Sequence, residues 1–290
     1  MAGISALDFP PVSPDNAPMI QPALVFDGSP IYFVSDAHLG STEGVPGRED
    51  WLIELMARAR AEAAGLVIVG DLFDFWFEYR HAIPKVTFRV ARAMADCVDA
   101  GLTVVYMGGN HDFWVGPWFE KELGVRSFDD PIHARLQNRL VYIAHGDGLG
   151  PGDSGYKVLK RVLRHPWAIS AYRALHPDFG VPFASFASHL SRSKGELPPD
   201  VLLPRVVRDV VRPALAGGAE AMVMGHLHRA VHYAEDRADE ARAEFILLGD
   251  WITLLTHARL ENGRFSLYRR AESGHDELIP PKPFPPTPQR

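Results

Sequence analysis

The sequence predicts an α/β protein in which two mixed β-sheets pack together and helices lie outside them. In the first half of the chain, short apolar runs alternate with helical patterns, as in parallel β-α-β units. Further on, apolar runs follow one another with only short turns between them, which is typical of antiparallel strands. Both kinds of strand pairing are therefore expected in one fold.

The elements can be assigned in chain order. Apolar runs at 31–35, 66–70 and 102–108 predict strands, and helical patterns at about 48–64 and 85–100 predict the helices between them. Seven later runs predict the remaining strands: VRSF, HARL, RLVYIAH, AMVMGH, AEFILLGD, LLTHARL and RFSLYRR.

The length of 290 residues favours one large domain with an insertion. We place this domain at 30–270 and a helical cap insertion at about 148–200, where basic and aromatic residues are frequent. Residues 1–29 and 271–290 are predicted to be tails, because they are rich in proline and lack apolar periodicity.

Composition excludes several classes of protein. A hydrophobic content of 47% with 23% charged residues excludes a disordered or fibrous chain. The net charge of −6 argues against a nucleic-acid partner, and no apolar stretch approaches the roughly 20 residues needed to span a bilayer. The N-terminus lacks a secretory pattern, so we predict a cytoplasmic protein. The single cysteine, Cys97, excludes a disulfide framework and is expected to be buried.

Polar residues cluster where the predicted strands end, and the carboxyl ends of strands form the ligand crevice of α/β sheets. Carboxylates, imidazoles and one amide together suit divalent ions such as Mn, Fe, Co or Zn. Seven candidate ligands follow five strands: Asp36, His38, Asp71, Asn110, His145, His226 and His228. Seven are too many for one tetrahedral ion and suit two bridged ions. We expect Asp71 to bridge them because its turn is central, with Asp74 and Asp147 supporting the ligands through hydrogen bonds.

Five motifs carry a resemblance to a known family. They are SDAHLG (35–40), GDLFDFW (70–76), GGNHDFW (108–114), HGD (145–147) and GHLH (225–228), and they resemble those of the calcineurin-like metallophosphoesterase superfamily. The resemblance implies a four-layer, two-sheet sandwich with a dinuclear centre. One ion would take Asp36, His38, Asp71 and His228, and the other Asp71, Asn110, His145 and His226. It also implies that His111 contacts the leaving group or phosphate and that Asp112 orients His111.

The spacers GDLFDFWFEY, HGDGLGPGDSGYK and LLGDW (247–251) resemble the UDP-2,3-diacylglucosamine diphosphatases of lipid A synthesis. That family cleaves its substrate to UMP and 2,3-diacylglucosamine 1-phosphate. The resemblance implies substrate binding by Asn110, His111, Asp153, Tyr156, Ser193 and Lys194, and two divalent ions, for which we expect manganese. Many members have Gly-Asn-Arg-Asp where this chain has Gly-Asn-His-Asp, which leaves another phosphodiester substrate open.

The expected reaction is hydrolysis of a phosphoric anhydride by metal-activated water, since the chain has neither a G-x-S-x-G nucleophile motif nor a P-loop. The alternative enzyme is a metallophosphodiesterase or phosphatase acting on another nucleotide, phosphoprotein or nucleic acid. A non-enzymatic scaffold is disfavoured because none of the seven ligands is missing. Trp76, Phe77 and Tyr79 either line a substrate groove or pack in the core.

The predicted insertion has an unusual charge. The segment between Gly155 and Gly195 contains seven Lys or Arg residues and only one Asp, whereas the net charge of the whole chain is −6. A basic helical face is predicted from the spacing of Lys157, Lys160, Arg161 and Arg164. Apolar surface for acyl chains is predicted from Phe179, Val181, Phe183 and Phe186. We therefore expect a lipid-facing cap that holds the protein peripherally at the inner face of the inner membrane; a helix that merely covers the core is the alternative.

Overall fold

The protein is described here by a computed structural model that covers residues 20–149, 154–182, 199–237 and 242–286, with the side chains of 154–157, 159 and 199–200 left out. Its strands are β1 (Leu24–Phe26), β2 (Ile31–Val34), β3 (Gly65–Val69), β4 (Thr103–Met107), β5 (Arg126–Phe128), β6 (Ile132–Leu136), β7 (Arg139–Ala144), β8 (Ala221–Met224), β9 (Ala230–Asp236), β10 (Arg242–Leu248), β11 (Thr256–Glu261), β12 (Arg264–Arg270) and β13 (Asp276–Ile279).

The helices are α1 (Arg48–Glu62), α2 (Phe88–Asp99), α3 (Trp118–Leu123), α4 (Ser154–Leu163), α5 (Pro166–Arg173), α6 (Pro199–Val206) and α7 (Arg212–Ala216). A 3₁₀ turn at Lys85–Thr87 precedes α2, and a π-helical turn at Val207–Val211 joins α6 to α7. Residues 177–182 are also helical. We call α4, α5 and residues 177–182 the cap. Among the described residues, no helix is long and apolar enough to cross a membrane.

The strands form two mixed sheets, as predicted. The seven-stranded sheet has the order β13-β12-β11-β2-β3-β4-β5, in which β2 to β5 are parallel and β11 to β13 antiparallel. The six-stranded sheet has the order β1-β6-β7-β8-β10-β9, with β7, β8 and β10 parallel at its centre. Because these strands are parallel, the carboxyl ends of β2, β3 and β4 lie at the same end of the first sheet. Those of β7, β8 and β10 likewise lie at the same end of the second sheet.

Three apolar clusters separate four layers. The inner faces of the two sheets share one cluster, in which Phe33 and Val69 of the first sheet pack with Ile143 and Val223 of the second. Helices α1 and α2 cover the outer face of the seven-stranded sheet, and Cys97 is buried there as expected. Helices α6 and α7 cover the outer face of the six-stranded sheet. The predicted helix-flanked two-sheet sandwich is confirmed.

Three strands were not predicted. Strand β1 lies in the predicted N-terminal tail and β13 in the predicted C-terminal tail, while β9 lies between two predicted runs. All three are at or next to a sheet edge, and β1 has only three residues, which is too short for a periodic signal.

The C-terminal segment is also held in place where we predicted a tail. Lys282 forms a β-bridge with Tyr233 of β9, and the Phe284 ring lies 5.6 Å from the Tyr233 ring. The Arg212 guanidinium lies 5.4 Å from the centre of the Phe284 ring. Prolines are compatible with this position because an edge segment needs few backbone N–H groups.

The cap is anchored to the loops that follow β3 and β4. Phe77 and Trp114 pack against Tyr172 of α5, with ring centres 4.6 and 4.9 Å apart, and the Trp114 indole N–H donates to the Leu163 carbonyl at 2.9 Å. Trp76, Phe77 and Tyr79 are all buried, so the structure favours packing over an open groove for them.

Candidate metal centre

The structure brings all seven predicted ligands together at the strand carboxyl ends. They are Asp36 and His38 after β2, Asp71 after β3, Asn110 after β4, His145 after β7, and His226 and His228 after β8. Three groups of three donors have ligand atoms within 4.8 Å of one another: Asp36, His38 and His228; His38, Asp71 and His111; and Asp36, Asp71 and His145.

The backbone at this site is strained. Five predicted ligands adopt left-handed conformations with φ between 43° and 71°: Asp36, His38, Asp71, His226 and His228. A non-glycine residue pays an energetic cost for this conformation, and such residues concentrate at functional sites. Backbone hydrogen bonds hold two of these turns, since the Asp36 N–H donates to the Gly70 carbonyl at 3.0 Å and the His38 N–H to the Asp71 carbonyl at 2.9 Å.

Arg48 supports the same loop from inside the protein. Its buried guanidinium donates to the carbonyl oxygens of Ala37, of His38 at 2.9 Å and of Ser41 at 3.1 Å. Three backbone acceptors are thereby satisfied by one cation. The sequence analysis did not identify this residue, because an arginine at the start of a helix has no pattern that marks it as buried.

Asp71 lies between the two halves of the site. Its Oδ2 atom is 3.6 Å from His38 Nε2 and 3.3 Å from His145 Nε2. On the far side of His38, the His228 Nε2 atom is 3.7 Å from Asp36 Oδ1. The predicted bridging carboxylate therefore occupies the position from which one oxygen faces ligands of both predicted sets.

Asn110 groups with the two remaining histidines. Its Oδ1 atom is 3.1 Å from His145 Nε2 and 2.9 Å from His226 Nδ1. The other ring nitrogen of His145, Nδ1, donates to the Val69 carbonyl at 3.0 Å, because a carbonyl can only accept. Nε2 of His145 is thus the nitrogen that is directed into the site, where it faces Asn110 and Asp71.

The residues present fit a divalent cation. Both ring nitrogens of His38 are buried, and neither has a hydrogen-bond partner among the described residues. A buried imidazole without partners is costly, and a cation would satisfy it. The surrounding carboxylates, imidazoles and amide oxygen form a donor set that suits divalent metals.

The charges of the site are tightly coupled. Burial opposes ionisation of Asp71, but the imidazoles of His145, His111 and His38 hold its pKa well below the usual range. Burial also opposes protonation of His145, yet Asp71 raises its pKa well above normal. For His226, burial and the neighbouring His145 lower the pKa. The site thus keeps Asp71 ionised and favours positive charge near it.

His111 lies at the rim of the site and contacts Asp74. Its Nδ1 donates to the Asp74 carbonyl at 3.0 Å and is 3.6 Å from the Asp74 carboxylate. Its ring packs edge-on against His38, with centres 4.4 Å apart. Asp74 Oδ1 also lies 3.8 Å from Nδ1 of the candidate ligand His38, whereas Asp147 forms an ion pair with Lys160 of the cap. Support of the ligands by these two carboxylates stays a prediction.

The role of Asp112 differs from the prediction. We expected it to orient His111, but its carboxylate accepts from the backbone N–H groups of Asp71 at 3.1 Å and Gly109 at 2.7 Å and from the Tyr106 hydroxyl. Burial and the nearby Asp71 charge raise the pKa of Asp112 to about 6. It ties the two motif loops together, and the ring of His111 is oriented by Asp74 instead.

One further carboxylate lies at the site: Asp250, within LLGDW, for which the sequence predicted no role. Its Oδ2 atom lies 3.6 Å from His228 Nδ1. The signal that marks it is the one used for the ligands, a polar residue directly after an apolar strand, here β10. Of the predicted substrate-binding residues, Asp153, Ser193 and Lys194 lie outside the described residues, as does the side chain of Tyr156.

Comparison with known proteins identifies the family. The sequence profile of the calcineurin-like phosphoesterases matches residues 29–230, more than half of the chain. The chain belongs to this family. The matched segment contains all seven candidate ligands, so the resemblance carried by the five motifs is confirmed.

This calcineurin-like phosphoesterase is also similar to curated proteins that share one name. It is 33% identical over 248 residues to a UDP-2,3-diacylglucosamine hydrolase of Porphyromonas gingivalis, which covers 79% of this chain and 93% of the relative. It is 30% identical over 221 residues to a protein of the same name from Pseudomonas syringae, covering 76% and 88%.

Among solved structures, Yfce, a phosphoesterase from E. coli, aligns over 86% of this chain and 98% of its own with a TM-score of 0.40 and 17% identity. The family and the curated relatives identify the chain as a metal-dependent hydrolase, as predicted.

Proposed function

We propose that this phosphoesterase hydrolyses the pyrophosphate of UDP-2,3-diacylglucosamine and releases UMP and 2,3-diacylglucosamine 1-phosphate in lipid A synthesis. The observation that carries the proposal is the convergence of seven metal donors around Asp71 in a chain with curated relatives named for this substrate. The relatives are matched over most of their length, which supports transfer of the whole activity.

The centre is proposed to hold two divalent cations, with manganese as the expected metal. Asp36, His38, Asp71 and His228 would hold one, and Asp71, Asn110, His145 and His226 the other. Such a pair supplies Lewis-acid chemistry, which activates water and offsets charge on phosphoryl oxygens. The two buried ring nitrogens of His38, which have no hydrogen-bond partner among the described residues, support the first set, and the contacts of Asn110 with two imidazoles support the second.

His111 is proposed to act on the phosphoryl group or the leaving group. The Asp74 carbonyl fixes the proton on Nδ1, which leaves Nε2 of His111 as the atom that faces a substrate. Burial lowers the pKa of His111, and this favours a neutral ring in the free protein. The ring is nevertheless close enough to Asp71 and Asp74 for a transferred proton to be stabilised on it.

The substrate is proposed to lie between the site and the cap. A cleft beside the cap is lined by the apolar side chains of Phe113, Trp114 and Ile169, by the guanidinium groups of Arg164 and Arg173, and by the acidic residues Glu78 and Asp129. Its apolar walls suit acyl chains, and its two guanidinium groups suit a phosphate. Asn110, Asp153, Tyr156, Ser193 and Lys194 stay predicted substrate contacts, together with His111.

The cap is also proposed to contact the membrane surface at the cytoplasmic face of the inner membrane. Trp167 and Phe179 of the cap are exposed, as are Val158 and Val162 on α4. Two of the four basic residues predicted to face lipid have partners within the protein instead, since Lys160 pairs with Asp147 and Arg164 with Asp130 at 2.9 Å. Exposed apolar side chains therefore support this proposal more than the predicted basic face does.

A substrate panel tests the proposed activity. The protein with Mn²⁺ or Mg²⁺ is incubated with UDP-2,3-diacylglucosamine, bis-p-nitrophenyl phosphate or a cyclic nucleotide, in ¹⁸O-labelled water. We expect UMP to be the product of the first substrate and to carry the label, which indicates attack at the α-phosphorus. Turnover of the other two substrates without UMP release from the first would contradict the proposal in favour of another phosphodiesterase activity.

A further inference from the structure

The turn that follows β10 is organised by a single buried side chain. Oδ1 of Asp250 accepts hydrogen bonds from the backbone N–H groups of Ile252 at 2.9 Å, Thr253 at 2.6 Å and Leu254 at 3.0 Å. Asp250 is 3% exposed. One carboxylate oxygen is thus committed to the turn, while the other, Oδ2, faces His228 Nδ1 at 3.6 Å.

The same turn also holds the neighbouring ligand loop. The Trp251 N–H donates to the Asp36 carbonyl at 3.0 Å, and the Val45 N–H donates to the Ile252 carbonyl at 2.8 Å. His228 Nε2 in turn lies 3.7 Å from Asp36 Oδ1. A turn outside the family match, which ends at residue 230, therefore contacts the ring of one candidate ligand and the backbone of another.

His228 needs such a support more than His38 and His145 do. Its side chain is 38% exposed, whereas those of His38 and His145 are 2% and 1% exposed and are fixed by packing. Among the described residues, its ring lies near the carboxylates of Asp36 and Asp250 and stacks on the His38 ring 5.3 Å away. A ring at the solvent boundary can rotate or change tautomer unless a polar partner holds it.

The chemistry of the partner decides the tautomer. A carboxylate only accepts hydrogen bonds, so Asp250 favours the proton on Nδ1 of His228. Nε2, which is directed at Asp36, is then the ring nitrogen that would bind a cation. Carboxylates that orient a metal-bound imidazole in this way typically contribute 10–100-fold to metal affinity.

We propose that Asp250 is a positioning residue that fixes the tautomer and orientation of His228 for one cation of the centre. This inference rests on the proposed dinuclear centre. It adds a residue after β10 to a site whose candidate ligands all come earlier in the chain.

The test is Mn²⁺ binding by the apo-protein, measured by isothermal titration calorimetry, with metal content checked by elemental analysis. In Asp250→Asn the remaining amide oxygen still caps the turn, but Nδ2 is a donor and favours the wrong His228 tautomer. We expect one of two Mn²⁺ sites to weaken about 10–100-fold while the other changes little. Asp250→Ser, which also keeps an oxygen for the turn, is expected to weaken the same site if the Asn variant does not fold.

Two controls separate positioning from general destabilisation. Glu244→Gln removes another buried carboxylate of β10 that contacts a histidine, His232 at 2.9 Å, away from the centre, and is expected to leave Mn²⁺ affinity unchanged. In a double-mutant cycle, Asp250→Asn is expected to add little to the loss caused by His228→Gln, because both act through one ring.

The outcomes are distinct. Wild-type protein that binds two Mn²⁺ ions, with unchanged affinities in Asp250→Asn or additive losses in the cycle, would overturn the role of Asp250 alone. Wild-type protein that binds no Mn²⁺ would overturn the proposed centre and this inference with it.

Discussion

His111 and Asp74 form a pair at the rim of the candidate metal centre, where the Nδ1 atom of His111 is held by the Asp74 carbonyl. The backbone N–H of His111 donates to Asp71 Oδ1 at 2.8 Å, while its ring contacts Asp74. The backbone of His111 thus supports the carboxylate of Asp71, which we propose as the bridging ligand, and this contact does not depend on the imidazole. The ring is available for chemistry on the substrate.

A substitution of His111 tests this separation. His111→Ala keeps the backbone contact, so we expect wild-type metal content. We expect kcat to fall by roughly 10²–10⁴-fold, the usual contribution of a general acid or a charge-stabilising group. Elemental analysis and steady-state kinetics on the same preparation provide the measurement, and loss of metal together with activity would make His111 a ligand.

At this scale the sequence predicted the candidate ligands that the structure brings together, but not the residues that support them. Each ligand directly follows an apolar run, so local pattern and spacing are sufficient to find it. Arg48 and Asp250 act on residues that lie far from them or across a loop, and their roles depend on how the loops pack. The role of Asp112 was wrong for the same reason, because sequence adjacency to His111 does not determine where its carboxylate points.

At the scale of elements, the loop between β2 and α1 depends on the guanidinium of Arg48, the first residue of α1. Arg48→Met removes the guanidinium, which leaves the carbonyl oxygens of Ala37 and Ser41 without their donor and that of His38 with the Ser41 N–H alone. We expect a loss of about 1–3 kcal/mol in the free energy of unfolding, the usual cost of buried groups left unsatisfied. Urea unfolding of the apo-protein measures it, with the exposed Arg92→Met in α2 as a control; equal stability of both variants would contradict the role.

The packing of β11 against β2 and β12 gives a pH dependence. His257 is buried between the rings of Tyr32 and Tyr268, at 5.6 and 5.4 Å. Burial, with the nearby Arg58 and Arg259, lowers its pKa to about 4 although Asp276 opposes this shift. The unfolded chain therefore binds more protons between pH 4 and the usual histidine pKa of about 6.5, and stability is lost as pH falls through this range.

His257→Phe keeps the aromatic packing and removes the titration. We expect the difference in unfolding free energy between pH 7.5 and pH 5 to be about 1–2 kcal/mol smaller in the variant than in the wild type. Urea unfolding in EDTA at both pH values gives this difference, and titration of other groups cancels in the comparison. The same pH dependence in both proteins would show that His257 is not the group responsible.

The central strands were predictable because they are long apolar runs, buried on both faces between two layers. The edge elements were not. Strand β1, strand β13 and the bridge at Lys282 are fixed by pairing with strands distant in the sequence, and their own residues carry no periodicity. Tertiary contacts therefore determine the conformation of these edge segments.

At the scale of the whole molecule, the exposed apolar side chains of the cap predict binding to a membrane surface. Trp167 and Phe179 are 61% and 76% exposed. Trp167→Ala with Phe179→Ala is expected to lower binding to anionic vesicles about tenfold or more, because each large side chain loses a favourable transfer of roughly 1.5–3 kcal/mol. Vesicle sedimentation gives the bound fraction.

The control pair for this experiment lies on the protein surface outside the cap. Val86 and Phe88 are 48% and 64% exposed, close to the exposure of the cap residues, but they belong to the segment before and at the start of α2. Val86→Ala with Phe88→Ala is expected to bind vesicles as the wild type does. Equal binding by all three proteins would contradict a lipid-facing cap and favour a helix that covers the core.

The two-cation centre bridged by Asp71 is the central claim, and anomalous diffraction from crystals grown with Mn²⁺ tests it most directly. We expect two anomalous peaks, one among Asp36, His38, Asp71 and His228 and the other among Asp71, Asn110, His145 and His226. Crystals of Asp71→Ala under the same conditions are expected to lack both peaks or to keep one at reduced occupancy. A single peak in the wild type, or two peaks that persist without Asp71, would contradict the bridged centre.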